Sequence, residues 1–363
     1  MFQFPVSPRK GVLDTPPYRA GTPISIVARE QGLDPACIVK LASNENPLGP
    51  SPMALEAIRR EASELHRYPD GSAWELTQIL AQRLGLNPGQ LVMGNGSNEI
   101  LELVAQAFLE PGTNAVMGQW PFVVYPLVTL HFGAEVRKVP MPGLRHDLNA
   151  MLEAIDANTR LVFVASPNNP TPFDIEASQV QAFIDRMPPH VILVFDEAYA
   201  EYLDQPVNLV SRIQEGKNIL CTRTFSKIYG LAGLRIGYGY GPEWLIALLQ
   251  RTRQPFSVNS LALAGAQAAL QDDAFVTRSR TSNQQGILQL REGFSRMGLS
   301  CHAGQANFLL LEVRDPDQLC KRLLQQGLIV RPMASFSLDG MIRISIGSAH
   351  ENERLLQTLS SLL

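Results

Sequence analysis

Four cysteines in 363 residues, with no CxxC pair among Cys37, Cys221, Cys301 and Cys320, leave little material for a disulfide framework or a thiolate metal cluster. That usage fits free, buried thiols in a reducing compartment. The six histidines are scattered and form no HExxH, so no metal site is expected. Long apolar runs are missing too. Stretches such as Val191-Ile192-Leu193-Val194-Phe195 fall far short of the roughly 18 residues a membrane span requires. An excess of positive charge is also lacking, since 31 Lys+Arg against 34 Asp+Glu give a net charge of -3, with both signs spread along the chain. A nucleic-acid binder needs a basic face, so that class is excluded, although a local site for one small anion is not. Met1 to Lys10 contains no apolar block of a secretory signal, and the expected location is cytoplasmic. No Walker A loop, internal repeat or low-complexity tract occurs.

What the chain does have is apolar residues in abundance, 45% of the total, arranged in short blocks. Between about Leu91 and Tyr240, helical stretches alternate with Ala115-Val116-Met117, Leu161 to Ala165, Val191 to Phe195 and Ile219 to Thr222. These blocks are apolar at consecutive rather than alternate positions, the pattern of strands buried on both faces. The expected fold class is α/β, with a mostly parallel sheet. From Ser300 onward, the runs Phe308 to Val313 and Ile342 to Ile346 flank a helix and read as a smaller α+β unit. The expected division is an N-terminal arm and part of the small domain over 1–43, a large domain over 44–280 and a small C-terminal domain over 281–363.

Ligands of open parallel sheets bind beyond the carboxyl ends of the strands, and four polar motifs follow such ends. Gly94-Asn95-Gly96-Ser97-Asn98-Glu99 opens a helix whose first N–H groups can bind a phosphate. It lacks the last glycine of a dinucleotide fingerprint, and alone it also describes a glycine turn with a serine cap. Ser166-Pro167-Asn168-Asn169-Pro170-Thr171 offers an amide at a rigid turn, equally the pattern of an ordinary Asx turn. Asp196, in Phe195-Asp196-Glu197-Ala198-Tyr199, ends a buried strand, where a carboxylate needs a cation, donors or a helix end to cap. The stretch Thr222 to Gly237 gathers hydroxyls, Lys227, glycines and Arg235. A lysine among apolar neighbours loses proton affinity and can attack a carbonyl as free amine, while an arginine and hydroxyls hold a phosphate.

Together with Asn44-Glu45-Asn46-Pro47, Arg67-Tyr68-Pro69-Asp70-Gly71 and Ile342-Arg343-Ile344-Ser345-Ile346-Gly347, these motifs stand in the order found in pyridoxal-phosphate-dependent aminotransferases of fold type I. The chain resembles that family from about Tyr18 to its C-terminus, and within it most resembles the histidinol-phosphate aminotransferases. The resemblance implies an aspartate-aminotransferase-like, seven-stranded-type sheet and pyridoxal 5'-phosphate as cofactor. It implies transfer of an amino group between L-histidinol phosphate and 2-oxoglutarate, the reverse being the direction of histidine biosynthesis. By this likeness Lys227 is the Schiff-base lysine and general base, Asp196 pairs with the pyridine nitrogen, and Tyr199 and Asn169 donate to the ring oxygen. Ser97, Asn98, Thr224, Ser226 and Arg235 form the phosphate cup, and Phe122 stacks on the ring. Tyr68 reaches the phosphate of a second subunit, which makes a homodimer part of the function. Arg343 anchors the acidic group of the substrate, with Tyr18, Asn307 and Arg331 as further pocket candidates.

Aromatic amino-acid aminotransferases and threonine-phosphate decarboxylases share this machinery and stay open as alternatives. A non-catalytic regulatory relative is disfavoured, because Lys227 and its partners are all present. One departure stands out: Pro172 follows Asn-Pro-Thr where the family usually has glycine, and proline removes an N–H and fixes φ, so a different loop path is expected there.

Overall fold

The computed structural model describes residues 6–15, 17 and 21–362. Tyr18 lies outside the described residues. Seven strands form the central sheet in the spatial order Leu91–Gly94, Gly237–Tyr240, Ile219–Thr224, Ile192–Asp196, Thr159–Ala165, Asn114–Gly118 and Glu135–Val139. All neighbours pair in parallel except Gly237–Tyr240, which runs antiparallel to both strands beside it.

The consecutive apolar residues have the expected cause, because alternate side chains of one strand enter two different cores. Val162, Val164, Leu193 and Phe195 face a layer with helices Trp74–Leu84, Ala177–Arg186 and Ser260–Ala269. Leu161, Phe163, Ile192 and Val194 face the opposite layer, with helices Ser97–Phe108, Val124–His131 and Glu243–Thr252.

A second, antiparallel sheet carries Arg331–Pro332, Met341–Ser345, Phe308–Glu312 and Cys301–Ala303 in that order. Its core is closed by Leu290 and Phe294 of the 24-residue helix Asp273–Arg296, and by Leu319, Leu323, Leu355 and Leu359. This helix runs unbroken across the expected division at residues 280 and 281, so it is itself the connection between the two sheets' layers.

The N-terminal segment does not pack alone. Val39 and Lys40 pair in parallel with Leu328 and Ile329. The Leu41 N–H donates to the Ile329 carbonyl at 2.7 Å, and the Ser345 N–H donates to the Leu41 carbonyl at 2.8 Å. These bonds deliver residues 42–46 to the mouth of the large sheet. There the Asn46 side-chain amide donates to the Ile228 carbonyl at 2.7 Å and to Ser279 Oγ at 2.9 Å.

At this junction Gly230 has φ +69°, and a Cβ there would collide with the Gly49 carbonyl and lie 2.7 Å from its carbon and 2.9 Å from Pro50 Cα. Backbone cannot move aside as a side chain can. Gly230→Ala is expected to lower the unfolding free energy by about 2 to 4 kcal/mol through left-handed strain and overpacking. A urea denaturation series against the parent protein measures it, and an unchanged midpoint would refute the close approach.

Candidate active site

The carboxyl ends of Thr159–Ala165, Ile192–Asp196 and Ile219–Thr224 open onto a cavity of about 280 Å³. Its lining includes Asn169, Asp196, Tyr199, Thr224, Ser226, Lys227 and Arg235, together with Ser97, Asn98, Phe122, Arg331 and Arg343. The strand register explains the convergence. Ala165 pairs with Asp196 and Asp196 with Thr222, so the loops that follow all leave the sheet at one edge.

Asp196 is 5% exposed. Tyr125 donates its hydroxyl to Asp196 Oδ2 at 2.7 Å, and the Ala198 N–H donates to Oδ1 at 3.1 Å. Burial raises its pKa, and the hydrogen bonds from Tyr125, Thr222 and Ala198 pull it partly back. Among the described residues no ion pair within 4.0 Å reaches it, so the carboxylate has donors but no direct counter-charge. A cationic N–H in the cavity would supply one.

Lys227 Nζ donates to the Ser43 carbonyl at 3.2 Å and lies 5.8 Å from the centre of the Tyr199 ring. Burial first, then the positive charge of Arg343, lowers its pKa to about 8. Near neutrality a usable fraction is therefore uncharged amine, the form that attacks carbonyls and accepts protons.

An anion cradle lies beside it. Helix Ser97–Phe108 begins at Gly96, whose φ is +80°, and its first N–H groups carry the positive end of the helix dipole. A Cβ on Gly96 would come within 2.5 Å of Arg235 Nη2, so glycine here lets the guanidinium reach the helix start. Arg235 Nη1 donates to Ser226 Oγ at 3.3 Å, and the Ser226 N–H donates to Thr224 Oγ1 at 3.1 Å. Arg235 itself has φ 57°, a strained conformation held by the bond from the Phe225 N–H to the Ile236 carbonyl.

The opposite wall is cationic. Arg331 and Arg343 sit directly across from one another on adjacent antiparallel strands, and both line the cavity. Arg343 is 7% exposed, donates from Nη1 to Asn169 Oδ1 at 2.5 Å and from Nη2 to the Ala42 carbonyl at 2.8 Å.

Two expected residues stand elsewhere. Asn307 is fully buried but does not line the cavity, and its amide donates to the Asn44 carbonyl at 2.9 Å, so it supports a loop instead of facing a ligand. Tyr68 is 84% exposed and stacks on Phe256 at 4.9 Å, beside the exposed Leu65 and Trp74. It does not reach the cavity of its own chain. Sequence reasoning missed Tyr125, in the first turn of helix Val124–His131, whose ring lies 5.7 Å from that of Phe122 just before the helix. It also missed the buried set behind the site, where Glu197 accepts from Arg223 Nε at 3.0 Å and from the Tyr240 hydroxyl at 2.5 Å. The Pro172 carbonyl occupies the space a side chain on Gly304 would need, and the Asn168 N–H closes the loop on the Phe173 carbonyl at 3.0 Å.

A buried amine, a buried carboxylate and an anion cradle around one cavity in this two-sheet α/β scaffold define a group-transfer enzyme acting on small anions. The profile of the family "Aminotransferase class I and II" matches residues 36–359, and the chain belongs to that family. Histidinol-phosphate aminotransferase 2 of Pseudomonas aeruginosa is 48% identical over 100% of this chain and 99% of its own length. The crystal structure of histidinol-phosphate aminotransferase from Sinorhizobium meliloti in complex with pyridoxal-5'-phosphate superposes with a TM-score of 0.88 at 26% identity, covering 97% of each chain. A Thermus thermophilus aspartate aminotransferase double mutant matches with a TM-score of 0.83 at 23% identity, covering 99% of this chain and 100% of its own, which shows the shared fold. Among the described residues no helix is long and apolar enough to cross a membrane, and no side-chain cluster is arranged to hold a metal ion.

The depressed Lys227 pKa carries a stability consequence. Between about pH 8 and pH 10.5 the unfolded chain binds this proton and the folded chain does not, so the stability of the ligand-free protein rises with pH across that window. Below pH 8 both forms are charged and the full cost of holding that charge, from burial and from Arg343 and Arg235 together and on the order of 3 kcal/mol, is present. Lys227→Met is expected to raise ligand-free stability at pH 7 and to flatten the rise. Urea midpoints at pH 7.5, 8.5 and 9.5 test this, and parallel curves for the two proteins would contradict it.

Proposed function

We propose that the protein catalyses transamination between L-histidinol phosphate and 2-oxoglutarate, giving imidazole acetol phosphate and L-glutamate, with pyridoxal 5'-phosphate as cofactor. The carrying observation is one cavity in which an anion cradle, a counter-charge-seeking carboxylate and a partly neutral lysine face two arginines on the far wall. The residues fit the cofactor. Arg235, Ser226, Thr224, Ser97, Asn98 and the N-terminus of helix Ser97–Phe108 suit its phosphate dianion. Asp196 would hold the protonated ring nitrogen, Tyr199 and Asn169 the ring oxygen, and Phe122 one face of the ring.

When bound, this cofactor supplies an aldehyde carbon that exchanges an amino group and a ring that accepts the electron pair released at the substrate carbon. The chain's own part is to orient and to move protons. Lys227 Nζ, whose basicity burial and Arg343 lower, would take the proton from the substrate α-carbon and deliver it to the former aldehyde carbon of the cofactor, across the amino nitrogen. Asp196, its charge stabilised by donors from Tyr125 and the Ala198 N–H, would hold a proton on the ring nitrogen. Arg343 and Arg331 hold the anionic arm of the substrate. Two arginines opposite one another on neighbouring strands, both lining the cavity, favour a phosphate ester over a lone carboxylate, which supports histidinol phosphate over aromatic amino acids. Threonine phosphate has the same anionic arm, and loss of its carboxyl group is the second reading.

Three substrates separate these readings. Histidinol phosphate, phenylalanine and threonine phosphate are compared by kcat/KM with product identification. Histidinol phosphate is expected to lead by at least about tenfold, with glutamate as the product from 2-oxoglutarate. Release of carbon dioxide from threonine phosphate as the fastest reaction would replace the proposal with the decarboxylase.

The exposed Tyr68–Phe256 stack, flanked by Leu65 and Trp74, supports a homodimer in which Tyr68 completes the partner's site, working in the cytoplasm with its four free thiols. Lys227→Ala subunits mixed with Tyr68→Phe subunits are expected to regain activity, because half of the sites in a mixed dimer hold both intact residues. No recovery in verified mixed dimers, with both parents impaired, would place Tyr68 outside the shared site.

A further inference from the structure

Asn44 lines the cavity without belonging to the cofactor or substrate set. It is 1% exposed and adopts the left-handed conformation, φ 55°, which asparagine tolerates better than most residues. Its carbonyl accepts from Asn307, and its N–H donates to Ser345 Oγ at 2.8 Å. Its side-chain Nδ2 donates to the Tyr199 hydroxyl oxygen at 2.9 Å. Asn169 Nδ2 donates to that same oxygen at 3.0 Å.

Neither amide is free to turn over. Ser345 Oγ already accepts the Asn44 N–H, and its proton goes to Asn44 Oδ1 at 3.0 Å. Arg343 Nη1, a group that can only donate, lies 2.5 Å from Asn169 Oδ1. Each amide oxygen is thus committed at one end, and each NH₂ is directed to Tyr199 at the other. A phenol oxygen has two acceptor sites and one proton. With both acceptor sites filled by amide N–H groups, the Tyr199 O–H is left to point into the cavity that the residue lines.

We propose that Asn44 is a positioning residue that makes Tyr199 an obligate hydrogen-bond donor toward the cavity. The proposal rests on the cofactor assignment above and deepens it. Asparagine is required because an aspartate in its place would accept the Tyr199 proton and turn it away from the cavity. The same substitution tolerates the left-handed backbone, so the fold has reason to survive it. Losing a donor from Tyr199 leaves more negative charge on the cavity acceptor, and a base beside that acceptor keeps its proton to higher pH.

The test is a pH titration of the visible absorbance band of protein loaded with pyridoxal phosphate, for the parent, Asn44→Asp, Tyr199→Phe and the double variant. Cofactor affinity of the stripped proteins is measured by the same band. The Asn44→Asp midpoint is expected to rise by about one pH unit, and by less than about a third of that when Tyr199 is already phenylalanine. Equal shifts in both backgrounds would overturn the proposal, because the added charge alone would then account for them. An unmoved midpoint in Asn44→Asp would overturn it as well. If Asn44→Asp fails to fold, Ser345→Ala releases the Asn44 amide, and a smaller upward shift that disappears with Tyr199→Phe is expected; no shift there is equally decisive against. Absence of any visible band in the parent would instead remove the cofactor assignment, a failure read from the parent alone.

Discussion

Placing a weakly basic amine and a buried carboxylate in one cavity is the constraint on which the rest of this structure depends. Neither group is at ease there: enclosure drives Lys227 toward its neutral form and Asp196 toward its protonated one. Asp196 stays useful because Tyr125 and the Ala198 N–H stabilise its charge. Tyr125, fully buried and stacked on Phe163 at 4.8 Å, cannot swing away. Lys227 is kept short of a full counter-charge, so the amine remains reactive. The site trades folding stability for chemistry, as sites holding strained or desolvated groups generally do.

The sheet makes that arrangement reproducible. Pairing of Ala165 with Asp196, and of Asp196 with Thr222, brings three loops to one edge, and a slip of one residue would turn Asp196 to the opposite face. Behind the cavity, Glu197, Arg223 and Tyr240 tie three neighbouring strands through side chains. A buried ion pair of this kind adds little net stability but penalises wrong registers, which leave one of its charges unpaired.

Much of this was legible in the sequence, for identifiable reasons. Doubly buried strands write themselves as consecutive apolar residues, so Leu161 to Ala165 and Val191 to Phe195 were readable without a structure. Lys227, Asp196 and Arg235 were readable because each is a costly residue at a strand end. Asn44, Tyr125 and the displacement of Asn307 were not, because their roles arise from hydrogen bonds between segments far apart in the chain. Asn307 is an amide near a pocket in either reading; only its partner, the Asn44 carbonyl, decides that it supports a loop. Tyr125 and Pro172 likewise take their meaning from Asp196 and Gly304, which no local pattern connects to them.

The ladder between Val39–Lys40 and Leu328–Ile329 has a consequence for how the protein comes into being. During synthesis the seven strands of the large sheet, ending at Tyr240, emerge well before the partners of the N-terminal segment. Residues 42–46 then wait without Ile329, Arg343 or Ser345, so a nascent chain can carry Lys227 and Asp196 in a formed sheet while Tyr199 is still unaimed. The cavity is finished last, by contacts that span about 300 residues of sequence, such as Ala42 with Arg343 and Asn44 with Ser345, and contacts of such separation are slow to form. A growing chain therefore has little opportunity to capture cofactor or substrate in an incomplete site before its final strand has been made.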